Sequence, residues 1–281
     1  MQSNAGQGGA SLRRLGPPPS PPTSTPEPAD PGTGPVTMVC FPCAGGGATG
    51  FALWRRLLPE HLALYGHVGP GREERGDQAP LSSVDELIAD VLPDVLALPD
   101  PLVLVGHSFG AFLAYELTRR LTLAGRPPLR LVVLAAVAPG ATAMEPPGDD
   151  HEIEVLWKRL GANTAGLSRP GFREWLFPVL RADFTAQAAY RPPDARSHVT
   201  TPVTVMYGDE DPVVTADEAA NWRALCSGPL DIVPMPGGHF FPQTARAETT
   251  GAIVRTLENG AGQPSNRSFT VVPLGRRSAV K

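Results

Sequence analysis

Short, unbroken runs of apolar residues alternate with helical patterns along most of this 281-residue chain. Such runs are typical of strands buried on both faces, and helices between them are typical of a mainly parallel sheet. The predicted strands are Val36–Phe41, Leu62–Val68, Leu102–Val105, Leu131–Val137, Val203–Tyr207 and Leu230–Val233. The predicted helices are a segment carrying Phe51, Leu53, Trp54 and Leu57, followed by Val84–Leu96, Phe109–Leu123, Ala216–Leu225 and Thr244–Leu257. The predicted fold class is therefore α/β, with helices on both faces of the sheet.

Residues 145–195 interrupt this alternation, because they contain amphipathic pieces such as Ile153–Leu160 and Phe172–Leu180 but no convincing strand. The pattern predicts a helical insertion before the Val203–Tyr207 strand. Segments at the carboxyl edge of a parallel sheet commonly hold the ligand site, so we interpret the insertion as a lid. Additional core packing is the alternative interpretation.

The two ends of the chain differ from the middle. Residues 1–35 are dominated by Pro, Ser, Thr and Gly, and residues 261–281 are similar but less extreme. Segments of this composition cannot bury enough apolar surface to offset the entropy of ordering. We therefore predict a disordered leader over 1–35, one domain over 36–260, and a flexible tail over 261–281.

Composition and charge exclude several classes of function. The net charge is −4 and no dense run of Lys or Arg is present, which argues against nucleic-acid binding. No stretch has the length and hydropathy of a membrane span or a signal peptide. Three cysteines cannot form a disulfide framework and fit a reducing compartment. We predict a cytoplasmic protein without a membrane partner, and a monomer by default.

The first motif that indicates catalysis is Gly106-His107-Ser108-Phe109-Gly110, a G-x-S-x-G sequence between a predicted strand and a predicted helix. In this context the sharp turn strains the serine backbone and projects its hydroxyl above the sheet. Small residues are needed at the glycine positions to avoid clashes. Ser108 is therefore the candidate nucleophile, and an ordinary glycine-rich turn is the alternative.

A serine hydroxyl needs a base to take its proton and an acid to orient that base. Of six histidines, His239 is the best placed, since it lies in the loop between the last strand and the final helix. The acid should follow a late strand, where Gly208–Pro212 offers three carboxylates. We select Asp211 at the far side of this turn, and Asp209, which is better placed to bond the turn amides, is the alternative.

The oxyanion formed during acyl transfer needs two backbone N–H donors. The amide of Phe109, directly after Ser108, supplies one of them in this type of turn. The other should come from the glycine-rich loop after the first core strand, where we select Ala44 and retain Cys43 as the alternative.

The same loop contains two competing motifs. Residues 45–50 satisfy the G-x-G-x-x-G dinucleotide pattern, but the next strand closes without the acidic residue that such a site requires. Cys40 and Cys43 form a C-x-x-C, yet no second Cys or His pair at ligand spacing accompanies it. We therefore predict neither a cofactor nor a metal.

Six ordered motifs together resemble the type II, or editing, thioesterases that accompany polyketide and nonribosomal peptide synthases. The matching segments are Phe41–Gly47, Pro70-Gly71-Arg72, Gly106–Ala111, Leu180–Phe184, Gly208–Pro212 with Trp222-Arg223, and Gly237–Phe241. The resemblance runs from about residue 36 to 258. It departs from the family pattern at Cys43, where relatives often carry a bulkier side chain.

The resemblance implies an α/β-hydrolase fold with a helical lid. It implies Ser108, Asp211 and His239 as the catalytic triad and Ala44 with Phe109 as oxyanion donors. The implied substrates are stalled or aberrant acyl groups on phosphopantetheinylated acyl or peptidyl carrier proteins. A small-molecule carboxylesterase and a non-catalytic binding protein on the same fold are the alternatives. We interpret the arginines at positions 72, 75, 169 and 173 as solvated charge, with a carrier-docking surface as the alternative.

Overall fold

A computed structural model describes residues 9–17, 35–141, 145–193 and 198–259. These residues form a seven-stranded sheet in the order β1-β3-β2-β4-β5-β6-β7. The strands are β1 (Leu12–Arg14), β2 (Val36–Phe41), β3 (Leu62–His67), β4 (Leu102–His107), β5 (Arg130–Leu134), β6 (Val203–Gly208) and β7 (Leu230–Met235). β1 pairs antiparallel with β3, and every other pairing in this sheet is parallel. The prediction of a mainly parallel α/β fold is confirmed.

The central strands are buried on both faces, which explains their unbroken apolar sequence. In β4, Leu102 and Leu104 belong to the hydrophobic cluster on one face, whereas Val103 and Val105 belong to the cluster on the other. This alternation follows from the two-residue period of a strand. Helices must therefore cover both sides of the sheet.

The helices are α1 (Val84–Leu96), α2 (Phe109–Leu123), α3 (Asp150–Arg159), α4 (Phe172–Ala189), α5 (Ala216–Ala220), α6 (Phe241–Thr244) and α7 (Arg246–Asn259). Helices α1 and α2 pack on one face, and α7 packs on the other together with a 3₁₀ helix, Ala48–Arg56. Shorter 3₁₀ turns are Glu73–Arg75, Ala165–Ser168 and Asn221–Leu225. The buried indole of Trp54, in the long 3₁₀ helix, donates to the Pro242 carbonyl at 3.0 Å and ties that helix to α6.

The predicted insertion is helical, as expected, and comprises α3, the 3₁₀ turn at 165–168 and α4. Helix α4 buries Leu176, Phe177 and Leu180 in the same cluster as α2, whereas α3 buries only Ile153 among its ten residues. The insertion therefore has a well-packed inner helix and a weakly packed outer one.

The segment predicted as a helix around Phe51–Leu57 is helical, with 3₁₀ geometry over Ala48–Arg56. Two local expectations are corrected by the structure. Strand β5 ends at Leu134, because Ala135 adopts a positive φ of 48° that breaks the extended conformation. The prediction of a disordered leader is wrong for residues 9–17, since β1 lies there and pairs with β3. The other residues of the predicted leader, and the tail at 261–281, lie outside the described residues.

The register of the sheet brings the candidate site segments together. Phe41, the last residue of β2, pairs with Gly106, and His107 of β4 pairs with Leu134. Because all these strands are parallel, the loops that follow them meet at one carboxyl edge. No helix in the described part of the chain combines the length and apolar character needed to cross a bilayer.

Candidate active site

Ser108 lies in the turn Gly106–Gly110 that joins β4 to α2, which we call the elbow. Its backbone has φ 53° and ψ −118°, a strained conformation for a residue other than glycine. A Cβ atom on Gly106 would lie 2.3 Å from the Ala111 Cα, and one on Gly110 would lie 2.2 Å from the Phe41 carbonyl oxygen. Both neighbours are backbone atoms, so the elbow requires glycine at these two positions.

A hydrogen-bonded series connects Asp211, His239 and Ser108. The Asp211 Oδ2 to His239 Nδ1 distance is 2.8 Å, and the His239 Nε2 to Ser108 Oγ distance is 2.9 Å. A carboxylate only accepts, so Nδ1 carries the ring proton and Nε2 is left to accept the hydroxyl proton of Ser108. The structure thus brings together the three residues selected from the sequence, each from a loop after a different strand.

The Asp211 carboxylate is fully buried and satisfied on both oxygens. Its Oδ1 accepts from the amides of Val213 at 2.9 Å and Val214 at 3.1 Å. Burial acts to raise the pKa of Asp211, but the hydrogen bonds from His239 and the two amides outweigh it and lower the pKa below its ordinary value. The carboxylate therefore stays ionised and can stabilise a positively charged imidazole ring beside it.

Two further side chains hold the loop that carries His239. Asp209 accepts from the Gly237 amide at 2.8 Å, in the turn where it was expected to bond amides. His107 donates from Nε2 to the His239 carbonyl oxygen at 2.9 Å. Burial lowers the pKa of His107 to about 3, so its ring stays neutral. The sequence pattern contains His107, but nothing in it indicates this partner 132 positions away.

The amides of Ala44 and Phe109 are not engaged by any acceptor among the described residues. Both residues are buried, whereas the neighbouring amides of Gly45 and Ser108 each donate at 2.8 Å. Buried N–H groups are nearly always paired, so two unpaired amides, one in the elbow and one in the loop after β2, need an explanation. Each N–H has a hydrogen bond left to donate.

The segment Pro42–Gly47, which we call the oxyanion loop, is held by a buried ion pair. Arg72 and Asp183 form two hydrogen bonds of 2.9 and 3.0 Å and are 3% and 0% exposed. Asp183 also accepts from the Gly45 amide at 2.8 Å, and Arg72 donates to the Gly46 carbonyl at 3.1 Å. The interpretation of Arg72 as solvated is wrong, because its guanidinium neutralises a carboxylate from the insertion.

The other three arginines differ among themselves. Arg75 is also buried, contrary to the solvated interpretation, and pairs with Asp90 at 2.6 and 2.7 Å. Arg173 is partly exposed and pairs with Glu154 at 2.7 Å, while Arg169 is exposed. The solvated interpretation is therefore wrong for Arg75, whose partner on α1 was not evident from sequence spacing, whereas the exposure of Arg169 fits both interpretations.

The two cysteines of the C-x-x-C are both free thiols. Burial raises the pKa of Cys40 and raises that of Cys43 to about 12, so both thiols stay protonated. No group of three or more His, Cys, Asp or Glu side chains is arranged to hold a metal within the described ranges.

The fold and site define a class of protein. A parallel sheet, a strained serine between a central strand and a helix, and a histidine and aspartate from later loops are the features of an α/β-hydrolase. Comparison with known proteins places the chain within that class. The model of the thioesterase domain matches residues 36–260, and the chain belongs to this family.

The relatives agree with this placement. The chain is 33% identical over 211 residues to the "Probable cadicidin biosynthesis thioesterase" of Streptomyces griseus, a match covering 73% of this chain and 58% of the relative. It is 31% identical over 243 residues to the thioesterase PikA5 of Streptomyces venezuelae, covering 83% and 84% of the two chains. The chain thus spans less than two thirds of the first relative but most of the second.

A solved structure gives the same result. YbtT, a type II thioesterase from the yersiniabactin NRPS/PKS biosynthetic pathway, superposes with a TM-score of 0.75 at 27% identity. The superposition covers 90% of this chain and 100% of that chain. The resemblance to type II thioesterases and the α/β-hydrolase fold predicted from the sequence are confirmed.

Proposed function

We propose that this chain is a serine thioesterase that removes stalled or aberrant acyl groups from phosphopantetheinylated carrier proteins of a polyketide or nonribosomal peptide synthase. The observation that carries the proposal is the hydrogen-bonded series Asp211–His239–Ser108 in a member of the thioesterase family. The names of the relatives, which include biosynthesis thioesterases and a type II enzyme, support the substrate class.

In the first half of the reaction, Ser108 Oγ attacks the thioester carbonyl carbon while its proton passes to His239 Nε2 across the 2.9 Å contact. The carbonyl oxygen becomes an oxyanion and accepts from the Ala44 and Phe109 amides. Collapse of this intermediate breaks the C–S bond, and the leaving thiolate takes the proton from His239. The acyl group is then an ester on Ser108.

In the second half, a water molecule attacks the ester and gives its proton to His239, which returns it to Ser108 Oγ as the acid leaves. Asp211 keeps the ring in the tautomer that both halves need and stabilises its charged form. One oxyanion donor contributes about 10²–10³-fold to turnover in serine enzymes, so the two amides supply a large part of the acceleration.

The decisive experiment compares acyl-carrier thioesters, the same acyl groups on a short thiol, and matched free esters as substrates. We expect hydrolysis of all three, with the highest kcat/KM for the carrier-bound thioester. Ser108→Ala should reduce kcat by about 10⁴-fold or more, since the acyl-enzyme cannot form. The exposed Ser82→Ala is the matched control and should retain full activity.

The alternatives give distinct results in the same assay. A higher kcat/KM for free esters than for carrier thioesters would favour a small-molecule carboxylesterase. No hydrolysis of any substrate, together with no labelling of Ser108 by a fluorophosphonate, would favour a binding protein. Undiminished activity of Ser108→Ala would refute the assigned nucleophile.

A further inference from the structure

We propose that Arg72 and Asp183 are positioning residues that fix the conformation of the oxyanion loop. Because Asp183 lies on α4, this inner helix of the lid is then part of the catalytic scaffold. This inference rests on the proposed function, because it concerns the same oxyanion site. It assigns a catalytic consequence to an ion pair that neither the triad nor the fold requires.

The geometry of the ion pair ties it directly to the oxyanion loop. Asp183 Oδ2 accepts simultaneously from the Gly45 amide at 2.8 Å and from Arg72 Nη1 at 3.0 Å. The same Arg72 nitrogen donates to the Gly46 carbonyl at 3.1 Å. The peptide units 44–45 and 46–47 are therefore fixed by one carboxylate and one guanidinium.

The direction of the Ala44 N–H depends on the conformation of the oxyanion loop. The oxyanion loop has a left-handed residue at Gly45, with φ 72°, which orients the peptide units on both sides of it. A Cβ atom on Gly45 would lie 2.6 Å from Leu180 Cδ2 of α4, so the loop lies directly against the lid helix. Without the carboxylate, the Gly45 amide and the buried Arg72 guanidinium would both lose an acceptor, and the loop would be free to rotate the Ala44 N–H away from the oxyanion.

Arg72 and Asp183 are 111 positions apart in the sequence, and Asp183 belongs to helix α4 of the insertion. Among the described residues, two other side-chain hydrogen bonds attach α4 and its C-cap residue Tyr190 to the body of the domain. Trp175 donates from Nε1 to the Gly71 carbonyl at 3.1 Å, and the Tyr190 hydroxyl donates to Glu116 at 2.8 Å. With three attachments along its length, α4 is held in place.

Tyr190 offers a matched control because it attaches the same helix without touching the oxyanion loop. Tyr190→Phe removes its hydrogen bond to Glu116, which keeps its bonds to Arg119 and Arg120. Asp183→Ala removes the attachment that includes the loop. The two variants therefore loosen the lid at different points, and only one of them reaches the Ala44 amide.

The experiment measures kcat, KM, thermal stability and the rate of fluorophosphonate labelling for each variant. A phosphonate places its P=O oxygen where the oxyanion forms, so its reaction reports the oxyanion site without any carrier protein. We expect Asp183→Ala to lower kcat and the labelling rate by about 10²-fold with a small change in KM. We expect the kcat, KM and labelling rate of Tyr190→Phe to stay within about threefold of the wild-type values.

A second set of variants separates positioning from simple loss of stability. Arg72→Met combined with Asp183→Leu replaces the buried pair by apolar side chains, which commonly restores stability. We expect this double variant to melt near the wild-type temperature and still show the low kcat. Asp183→Asn retains an oxygen for the Gly45 amide and should recover part of the lost activity. Recovery of full kcat in the double variant, or wild-type kcat in Asp183→Ala, would overturn the proposal.

The two proposals fail in different ways. If the wild type labels with the phosphonate but does not prefer carrier thioesters, the carrier assignment fails and the positioning role is still read from the labelling rates. If the wild type does not label at all, both proposals are wrong.

Discussion

The elbow Gly106–Gly110 and the oxyanion loop Pro42–Gly47 lie side by side at the carboxyl edge of the sheet, but different parts of the chain determine their conformations. The elbow is specified by its own glycines, whose replacement would drive a Cβ atom into backbone 2.2–2.3 Å away. The oxyanion loop is specified at long range, by Asp183 from the insertion. We therefore expect substitutions in the elbow to abolish activity and substitutions in the oxyanion loop to reduce it.

The largest effect is expected from Gly110→Ala on the elbow side. The new methyl would meet the Phe41 carbonyl oxygen, a backbone atom that cannot move without disturbing β2. We expect unfolding free energy to fall by about 3 kcal/mol and phosphonate labelling of Ser108 to be lost. Gly50→Ala is the control, because no atom lies within 4 Å of its Cβ position. A stable, active Gly110→Ala variant would contradict the requirement for glycine in the elbow.

The next effect concerns two buried imidazoles, one beside each half of the site. Burial lowers the pKa of both His67 and His107 to about 3. His107 donates to the His239 carbonyl, whereas His67 packs on Phe41 with both ring nitrogens unpaired among the described residues. In the unfolded chain each ring takes a proton as pH falls through about 6.5, while the folded protein does not, so stability decreases from there toward pH 3.

Replacing His67 tests how much of the stability lost at low pH is due to this ring and how much to His107. Each ring should account for about 2 kcal/mol of the stability lost between about pH 8 and about pH 5. We therefore expect His67→Leu to lose about 2 kcal/mol less than the wild type over this interval, in urea unfolding at the two pH values. Equal losses in the two proteins would show that His67 does not remain neutral on folding.

The smallest effect is expected from Gly45→Ala in the oxyanion loop. The positive φ of 72° should reduce the unfolding free energy by about 1–2 kcal/mol. The clash is with the end of the Leu180 side chain, which can shift, so the fold should survive. Gly125→Ala has a similar φ of 77° and open space around it, and is the matched control.

The two glycine variants should lose similar stability, but only Gly45→Ala should lose activity, by about tenfold in kcat. This difference would show that the activity depends on the contact between the oxyanion loop and helix α4, and not on backbone strain alone. If Gly125→Ala lowered kcat equally, the activity loss would reflect general loosening of the domain.

The sequence predicted the local half of this arrangement better than the distant half. The buried strands, the elbow and the order of Ser108, Asp211 and His239 follow from patterns within a few residues of each position. The ion pair between Arg72 and Asp183 joins two segments that no period or spacing relates, and Arg72 was accordingly interpreted as solvated. The same limitation applies to His107, whose partner is a backbone carbonyl in another loop.

Composition was also an incomplete guide at the N-terminal end. Residues 12–14 lie within a segment rich in Pro, Ser and Gly, yet they form β1 because β3 offers a free edge for pairing. A tertiary contact of this kind outweighs local propensity, which is why the boundary of the leader was placed too late.

The short strand β1 closes one side of the sheet and has a practical consequence. Ser11 donates twice to Asp94 of α1, at 2.8 and 2.5 Å, and Arg13 pairs with Glu73 at 3.2 Å. The family match begins at residue 36, so a recombinant fragment cut there would lack all of these contacts. Its β3 would present a row of unpaired backbone groups, a template for aggregation. A fragment for preparation and crystallisation should therefore begin ahead of Ser11.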